Sequence, residues 1–299
     1  MKKLLVMSVL LLVAIVAGAQ TKIAPKMQEG MKKTYVSDIT ANVAGKEVKM
    51  MSEATYTVLS ATATGYEVEC TMTRFESNAD PTDLAGRLLA MSEEMMKGVS
   101  VRMETDKDCK PVRMLNFEDI KKKTEAFVDK LTGELLAQNP AIADMLPKDM
   151  LKEQVMGAIT EERMLQSINE SASPMALNGK TISIGAQDEY INSQGMKLKR
   201  MYFPAADGSV TTNANINMSK EEMKQLIISQ VEKMAPGQAE MIKNNIDMVM
   251  ASGMLKFESN EKATYNFAPD GWVKSIKVDM TNEAVGQKSS VSSIVTLKE

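Results

Sequence analysis

Apolar and polar residues alternate with period two through several stretches of the chain. In Tyr66-Glu67-Val68-Glu69-Cys70-Thr71-Met72-Thr73 one side carries Tyr66, Val68, Cys70 and Met72, and the other carries Glu67, Glu69, Thr71 and Thr73. Such a segment is a strand with one face in a core and one in water. The pattern returns where Ile276, Val278 and Met280 oppose Ser275, Lys277 and Asp279, and in Val291, Ser293, Val295 and Leu297. Shorter strands are predicted near 34–43, 48–59, 99–105, 180–191, 196–203, 209–217 and 262–268. Clean alternation predicts an antiparallel sheet, because parallel strands buried on both faces read as continuous apolar runs. Thr64-Gly65, Asn178-Gly179, Gln194-Gly195, Asp207-Gly208 and Asp270-Gly271 punctuate the strands as hairpin turns.

A 3.6-residue period takes over in between. Asp80-Pro81 sets a cap carboxylate before a proline, and Leu84, Leu88, Met91 and Met95 follow on one face of a helix. A second helix starts at Asn116 with Phe117, Ile120, Phe127, Leu131 and Leu135 inward. A third opens near Pro147 with Leu151, Val155, Ile159, Leu165 and Ile168. The capping box Ser219-Lys220-Glu221-Glu222 starts a fourth, through Met223, Leu226, Ile227, Val231 and Met234. It ends at Ala235-Pro236-Gly237, and Ile242, Ile246 and Val249 form a fifth. The fold class is therefore α+β: a curved, mainly antiparallel sheet, like an incomplete barrel, packed against amphipathic helices.

Two organisational features stand out. Residues 65–114 run strand, helix, strand, turn, strand and residues 208–280 run strand, helical hairpin, strand, turn, strand, so two related halves, about 20–168 and 178–299, are expected. Between them the Ser- and Ala-rich segment 169–177, containing Pro174, has the composition of a linker. Residues 1–19 stand apart: Lys2-Lys3, an apolar run from Leu4 to Ala17, and Ala17-Gly18-Ala19 form a secretory signal peptide with cleavage before Gln20. The mature region 20–299 has no further stretch long enough to span a bilayer, so the expected location is the periplasm or the exterior.

Composition narrows the chemistry. The chain has no histidine, which removes Ser-His-Asp and Cys-His catalysis and every imidazole metal site. Loss of Lys2 and Lys3 turns the formal charge of −3 into −5, with charges interspersed, so no nucleic-acid partner is expected. No phosphate-binding glycine loop, nucleophile elbow or calcium loop occurs. Carboxylates such as Glu93-Glu94 and Glu161-Glu162 fall on helix surfaces. A sugar cleft would need more stacking aromatics than one Trp, six Tyr and six Phe. No reaction and no cofactor is implied, and the expected class is a non-enzyme. Cys70 and Cys109 are a candidate disulfide in an oxidising compartment. Trp272, just after Asp270-Gly271, is expected half-exposed, packing a sheet edge or rimming a ligand cavity.

The 27 methionines are the unusual feature. Met91, Met95 and Met96, or Met248, Met250 and Met254, have spacings that a Cu(I) site uses, but most methionines replace Leu and Ile on inward faces. There they either fill a solid core or line an adaptable apolar cavity. The candidate enclosed surface is Tyr66, Val68, Met72, Ile276, Val278 and Met280 on strands with Leu88, Met91, Met95, Met223 and Ile227 on helices.

The leader, the long alternating strands and the helices inserted between them together resemble the LolA-like envelope carriers of Gram-negative bacteria. The end segment, from Tyr265-Asn266-Phe267 through Asp270-Gly271-Trp272 to the last strand, is similar to exported proteins of unassigned function with the same sheet. The resemblance implies an incomplete barrel wrapped around helices, with an apolar space that receives lipid or acyl chains. A hydrophobic ligand is thus the leading expectation, and an envelope protein as binding partner of a structural module is the alternative.

Overall fold

A computed structural model describes residues 20–43, 46–80, 82, 84–97, 99–138, 148–157, 159–170, 172–192, 195–234, 239–251, 257–284 and 287–298. The expected leader, Pro81, Met254 and the Ala235-Pro236-Gly237 break lie outside these residues. The first half runs β1 (Thr21–Lys22), β2 (Lys32–Val43), β3 (Lys46–Ala61), β4 (Gly65–Ser77), α1 (Leu84–Met96), β5 (Ser100–Asp106) and β6 (Pro111–Met114). Three helices follow, α2 (Phe117–Gln138), α3 (Lys148–Gly157) and α4 (Glu161–Ile168), then β7 (Thr181–Ile182) and β8 (Gln187–Ile191). The remainder is β9 (Lys197–Pro204), β10 (Val210–Ile216), α5 (Lys220–Met234), α6 (Ala239–Ala251), β11 (Phe257–Phe267), β12 (Val273–Ala284) and β13 (Gln287–Lys298).

Eleven strands form one antiparallel sheet in the order β6-β5-β4-β3-β2-β13-β12-β11-β10-β9-β8, while β1 and β7 pair separately. The order is a single up-and-down meander joined across the chain ends by β2 and β13, with Tyr35 opposite Leu297 and Ser37 opposite Val295. It is not closed between β6 and β8. The sheet must nevertheless curl. In a flat sheet β5 and β9, eight places apart, would be separated by about 38 Å at roughly 4.8 Å per strand. Instead one short segment touches both ends: a Cβ on Gly179 would lie 2.9 Å from Cβ of Lys110, after β5, and Lys180 Nζ is 2.9 Å from the Tyr202 hydroxyl on β9.

The expected linker, 169–177, runs into that segment, and its last residues are among the most buried parts of the molecule. Pro174 through Asn178 are buried, with Met175, Ala176 and Leu177 in the same core as Val68, Met103, Val210, Tyr265 and Ile276. The N-terminal segment closes the same end. Lys26 N–H donates to Asp270 O (2.8 Å), Gly30 N–H to Val58 O (2.9 Å), and Gly179 N–H to Ile23 O (2.8 Å). Trp272 is correspondingly buried, 1% exposed, with Nε1 donating to Lys26 O at 3.0 Å. Half-exposure at an edge was the wrong expectation for it, because the edge is covered by residues far away in sequence.

The opposite end holds the helical insertions. The capping box of α5 forms as expected, with Glu222 N–H on Ser219 Oγ (3.2 Å) and Ser219 N–H on Glu222 Oε2 (2.7 Å). Lys224 and Asp247 pair α5 with α6, around buried Met223 and Ile246. The single helix expected after Pro147 is two, because Thr160, extended at φ −124°, caps a new start by accepting from Arg163 N–H. The break lets α4 turn onto β6, where Glu161 Oε1 accepts the Met114 N–H at 2.7 Å and so blunts an open sheet edge.

The disulfide does not form; Cys70 and Cys109 are both free thiols. Gly65 stands opposite Asp106, so Cys70 lies five residues along β4 from the turn holding Cys109, about 17 Å at roughly 3.3 Å per residue. That is far beyond the ~7 Å Cα separation a bridge tolerates. Burial pushes each thiol up to about 11, so both stay protonated at neutral pH.

The methionines divide by depth: Met103 and Met175 are buried in the core, whereas Met241 and Met248 on α6 are exposed. Mild peroxide is expected to oxidise Met241 and Met248 first with an unchanged melting temperature. Sulfoxide at Met103 or Met175 should follow only with unfolding and lower the melting temperature. Peptide mass spectrometry alongside thermal melts checks this, and equal oxidation rates for Met103 and Met248 in the native protein would contradict it.

Candidate functional site

Strand register sorts the candidate surface into two environments. Val58, Val68 and Met103 lie in one inward-facing row and Tyr265 and Ile276 in another, all packed against the closing segments. Four of the expected surface residues belong here: Val68, Ile276 and Val278 are in the packed core and Tyr66 lies against it. They fill a solid interior.

Further along the same inward face, toward the helical end, the residues are apolar but only half-buried. Ile39 pairs with Met50 and with buried Ser293, Ala41 pairs with Val48 and Val291, and Val291 pairs with Met280. Met72 and Phe75 extend this row on β4 across a bulge between Glu53 and Ala54. Met72 and Met280 are therefore the two predicted strand residues that lie beyond the solid core. On the helices Met91 and Met223 are buried while Met95 and Ile227 are half-buried; the side chain of Leu88 lies outside the described residues. The outward face is polar, with Thr34 bonded to Thr55, Ser292 to Asp279, and Lys277 paired with Asp279. Apolar-in and polar-out is the reverse of a lipid-facing barrel. A groove of about 480 Å³ on the outward side is lined by groups such as Asn42, Asn260, Thr281 and Ser290, none of them apolar.

A pocket outside the expected surface lies at the open seam. Its volume is about 520 Å³, and it is lined from one side by Lys110, Gln166 and Asn169 and from the other by Asp188, Tyr190, Arg200 and Tyr202, with Gly179 to Ile182 between them. Arg200, only 1% exposed, directs Nε and Nη2 at the Asp188 carboxylate (3.1 and 3.2 Å) and Nη1 at Asn169 O (3.5 Å). Its guanidinium lies 4.6 Å from the Tyr190 ring centroid, in cation–π range. Lys180 also binds Asp188, and the Tyr202 hydroxyl donates to Asp188 Oδ2 at 2.7 Å. One carboxylate thus serves two cations and a phenol.

Burial raises the affinity of Asp188 for a proton, but Arg200 and Lys180 outweigh it and hold the carboxyl down to about 2. Burial, followed by repulsion from Arg200, lowers Lys180 below the usual ammonium range, and Lys110 adds to that repulsion. The Asp188 shift has a definite sign. A carboxylate more acidic in the folded state stabilises fully above pH about 4 and loses that contribution as pH falls toward 2, here about 2 kcal/mol. Urea denaturation between pH 5 and 2 is expected to show a component of this size that Asp188→Asn lacks. Equal acid sensitivity of the two proteins would contradict the assignment.

A signal for this cluster exists in the sequence. In Leu198-Lys199-Arg200-Met201-Tyr202 the buried phase is Leu198, Arg200 and Tyr202, so an arginine occupies a core position and requires a buried partner. Which partner it takes depends on the register of β8, where Asp188 stands opposite Arg200.

No family model and no curated protein matches the sequence. Among solved structures the chain is similar to lipovitellin, described for its lipid–protein interactions, with a TM-score of 0.43 and 8% identity over 92% of this chain and 26% of that one. The chain therefore spans about a quarter of the length of lipovitellin. It is also similar to an exported protein with a YmcC-like fold from Bacteroides fragilis, at TM-score 0.26 and 9% identity over 93% of this chain and all of that one. A porin-like protein from Bacteroides uniformis gives TM-score 0.21 and 9% identity over 92% and 99% of the two chains. None of these likenesses assigns the chain to a family; its function has to be read from its own residues.

Proposed function

We propose that this is an exported, non-enzymatic protein that holds a lipid or another apolar chain against the inward face of the sheet, at the end where the helices are inserted. The observation that carries the reading is the row Ile39, Val48, Met50, Met72, Phe75 and Met280, inward-facing and apolar yet only half-buried. Apolar side chains in a concave face gain about 25 cal/mol for every Å² taken from water, and here that area is still available to a ligand. Methionine suits the task, because its unbranched, polarizable side chain repacks around chains of different shape. Ligation of this kind is what the resemblance to the LolA-like carriers implies, and the leader peptide supplies the export.

Solvent extraction of the purified protein is expected to release lipid, and cis-parinaric acid is expected to bind with enhanced fluorescence. Met72→Glu and Met280→Glu each place a charge in the row, and because both positions are half-buried the fold should survive. Each variant should weaken probe binding about tenfold, the scale of one buried methionine side chain. Absence of extracted lipid together with absence of probe binding would overturn the reading.

A further inference from the structure

The seam pocket carries chemistry that an apolar row does not need. Its wall presents three cations, Lys110, Lys180 and Arg200, against two carboxylates, Asp188 and Glu189. Glu189 is already engaged by Lys197 (3.1 Å) and by Asn217 Nδ2 (2.6 Å). Asp188 is shared between Arg200 and Lys180, so one negative charge faces two positive ones, and Lys110 makes a third. Further acids lie near the cluster: Glu170 and Glu261 act at Tyr190, and Asp106 and Asp108 flank Lys110, Asp106 accepting the Lys110 N–H and Asp108 pairing with Lys22. Among the described residues, donors remain as well as charge. Arg200 directs three of its five N–H groups at Asp188 and Asn169, and Lys180 two of its three at Asp188 and Tyr202.

We propose that this pocket is a binding site for an oxyanion, a phosphate or carboxylate group, gripped by Lys110, Lys180 and Arg200 beside the Tyr190 ring. A cationic pocket with donors on three side chains and a volume of about 520 Å³ admits such a group with space beyond it. Anion binding also offsets the repulsion from Arg200 and Lys110 that adds to burial in lowering Lys180. Asp188 occupies the role in part, as an internal anion that orders Arg200 and Lys180 in the pocket wall. The inference stands apart from the apolar row, since it needs no acyl chain.

Two probes separate the sources of such a group. Inorganic phosphate reports a site for a free anion, and octyl phosphate below its micelle concentration reports a site for the headgroup of an amphiphile. Calorimetric titration is expected to show saturable binding of at least one. Comparable affinities assign the site to free anions, and a gain of more than tenfold for octyl phosphate assigns it to headgroups. Lys180→Gln should weaken binding about tenfold, the value of one hydrogen bond to a charged group. Lys110→Gln, at an exposed position that leaves folding intact, should weaken it about threefold. Asp188→Asn removes the competing internal anion and should tighten binding, whereas a merely structural ion cluster would give no binding in any variant. In the native protein, phosphate should also protect Lys180 and Lys110 from acetylation as read by mass spectrometry. No saturable binding of either probe to the native protein would overturn the proposal, and so would binding that Lys110→Gln and Lys180→Gln leave unchanged. Failure of cis-parinaric acid to bind would leave the anion site standing, so the two readings fail separately.

Discussion

Replacing Trp272 with alanine is expected to cost about 3–5 kcal/mol, a large share of the 5–15 kcal/mol by which such domains are stable. Trp272 is the largest fully buried side chain of the core. It sits where the β11–β12 turn meets the N-terminal segment, and its effect has three sources. Truncation leaves a cavity in a close-packed region, which relaxes only in part. It removes the donor to Lys26 O, one of the bonds that hold residues 23–30 across the end of the sheet. It also loosens a contact so close that a Cβ on Gly271, itself at φ +82°, would lie 3.1 Å from Pro25 Cα. Trp272→Phe keeps much of the ring and should cost about 1–2 kcal/mol, mainly the lost hydrogen bond. Urea denaturation of both variants measures the difference. A loss below 1 kcal/mol for Trp272→Ala would show that this end of the sheet does not depend on the closing segment.

Gly65→Ala is expected to be comparably damaging, at about 3 kcal/mol or more. A Cβ at Gly65 would lie 1.8 Å from the carbonyl oxygen of Thr105, so the new methyl group meets backbone, which cannot rotate away. Relief requires β4 and β5 to separate where Gly65 stands opposite Asp106, and that pairing carries the β5–β6 turn whose Asp108 binds Lys22 of the N-terminal segment. Gly208→Ala is the contrasting case. Gly208 has φ +83°, yet nothing lies within 4 Å of the added atom, so only the backbone strain of about 1 kcal/mol applies. Thermal melts should therefore rank Gly65→Ala well below Gly208→Ala. The reverse order would mean that backbone conformation outweighs close approach in this sheet.

Much of the fold is legible in the amino-acid sequence. Tyr66, Val68, Cys70 and Met72 do face one way, and Ile276, Val278 and Met280 likewise, because side-chain direction in a strand follows from local parity alone. The α5 capping box forms because it requires only four consecutive residues. The expectations that fail depend on distant partners. The composition of 169–177 reads as a linker, but Met175, Ala176 and Leu177 pack into the core just before Gly179 and Lys180, which touch Lys110 and Tyr202 at the two ends of the curled sheet. Trp272 reads as an edge residue until residues 23–30 cross over it. The candidate site is half legible: Met72 and Met280 lie on the predicted surface, while Val68 and Ile276 share their face and pack solid. Parity tells which face a side chain occupies and says nothing of what covers that face.

The pattern of apolar and polar positions by itself determined the antiparallel strands, their inward faces, the inserted helices and the placing of methionine at apolar positions. Period and parity are properties of neighbours in the chain. Tertiary structure alone decided where that inward face is solid and where it stays half-open, and that Arg200, Lys180 and Asp188 meet at the seam. Those outcomes depend on strand register and sheet closure, which bring together residues that no local period relates.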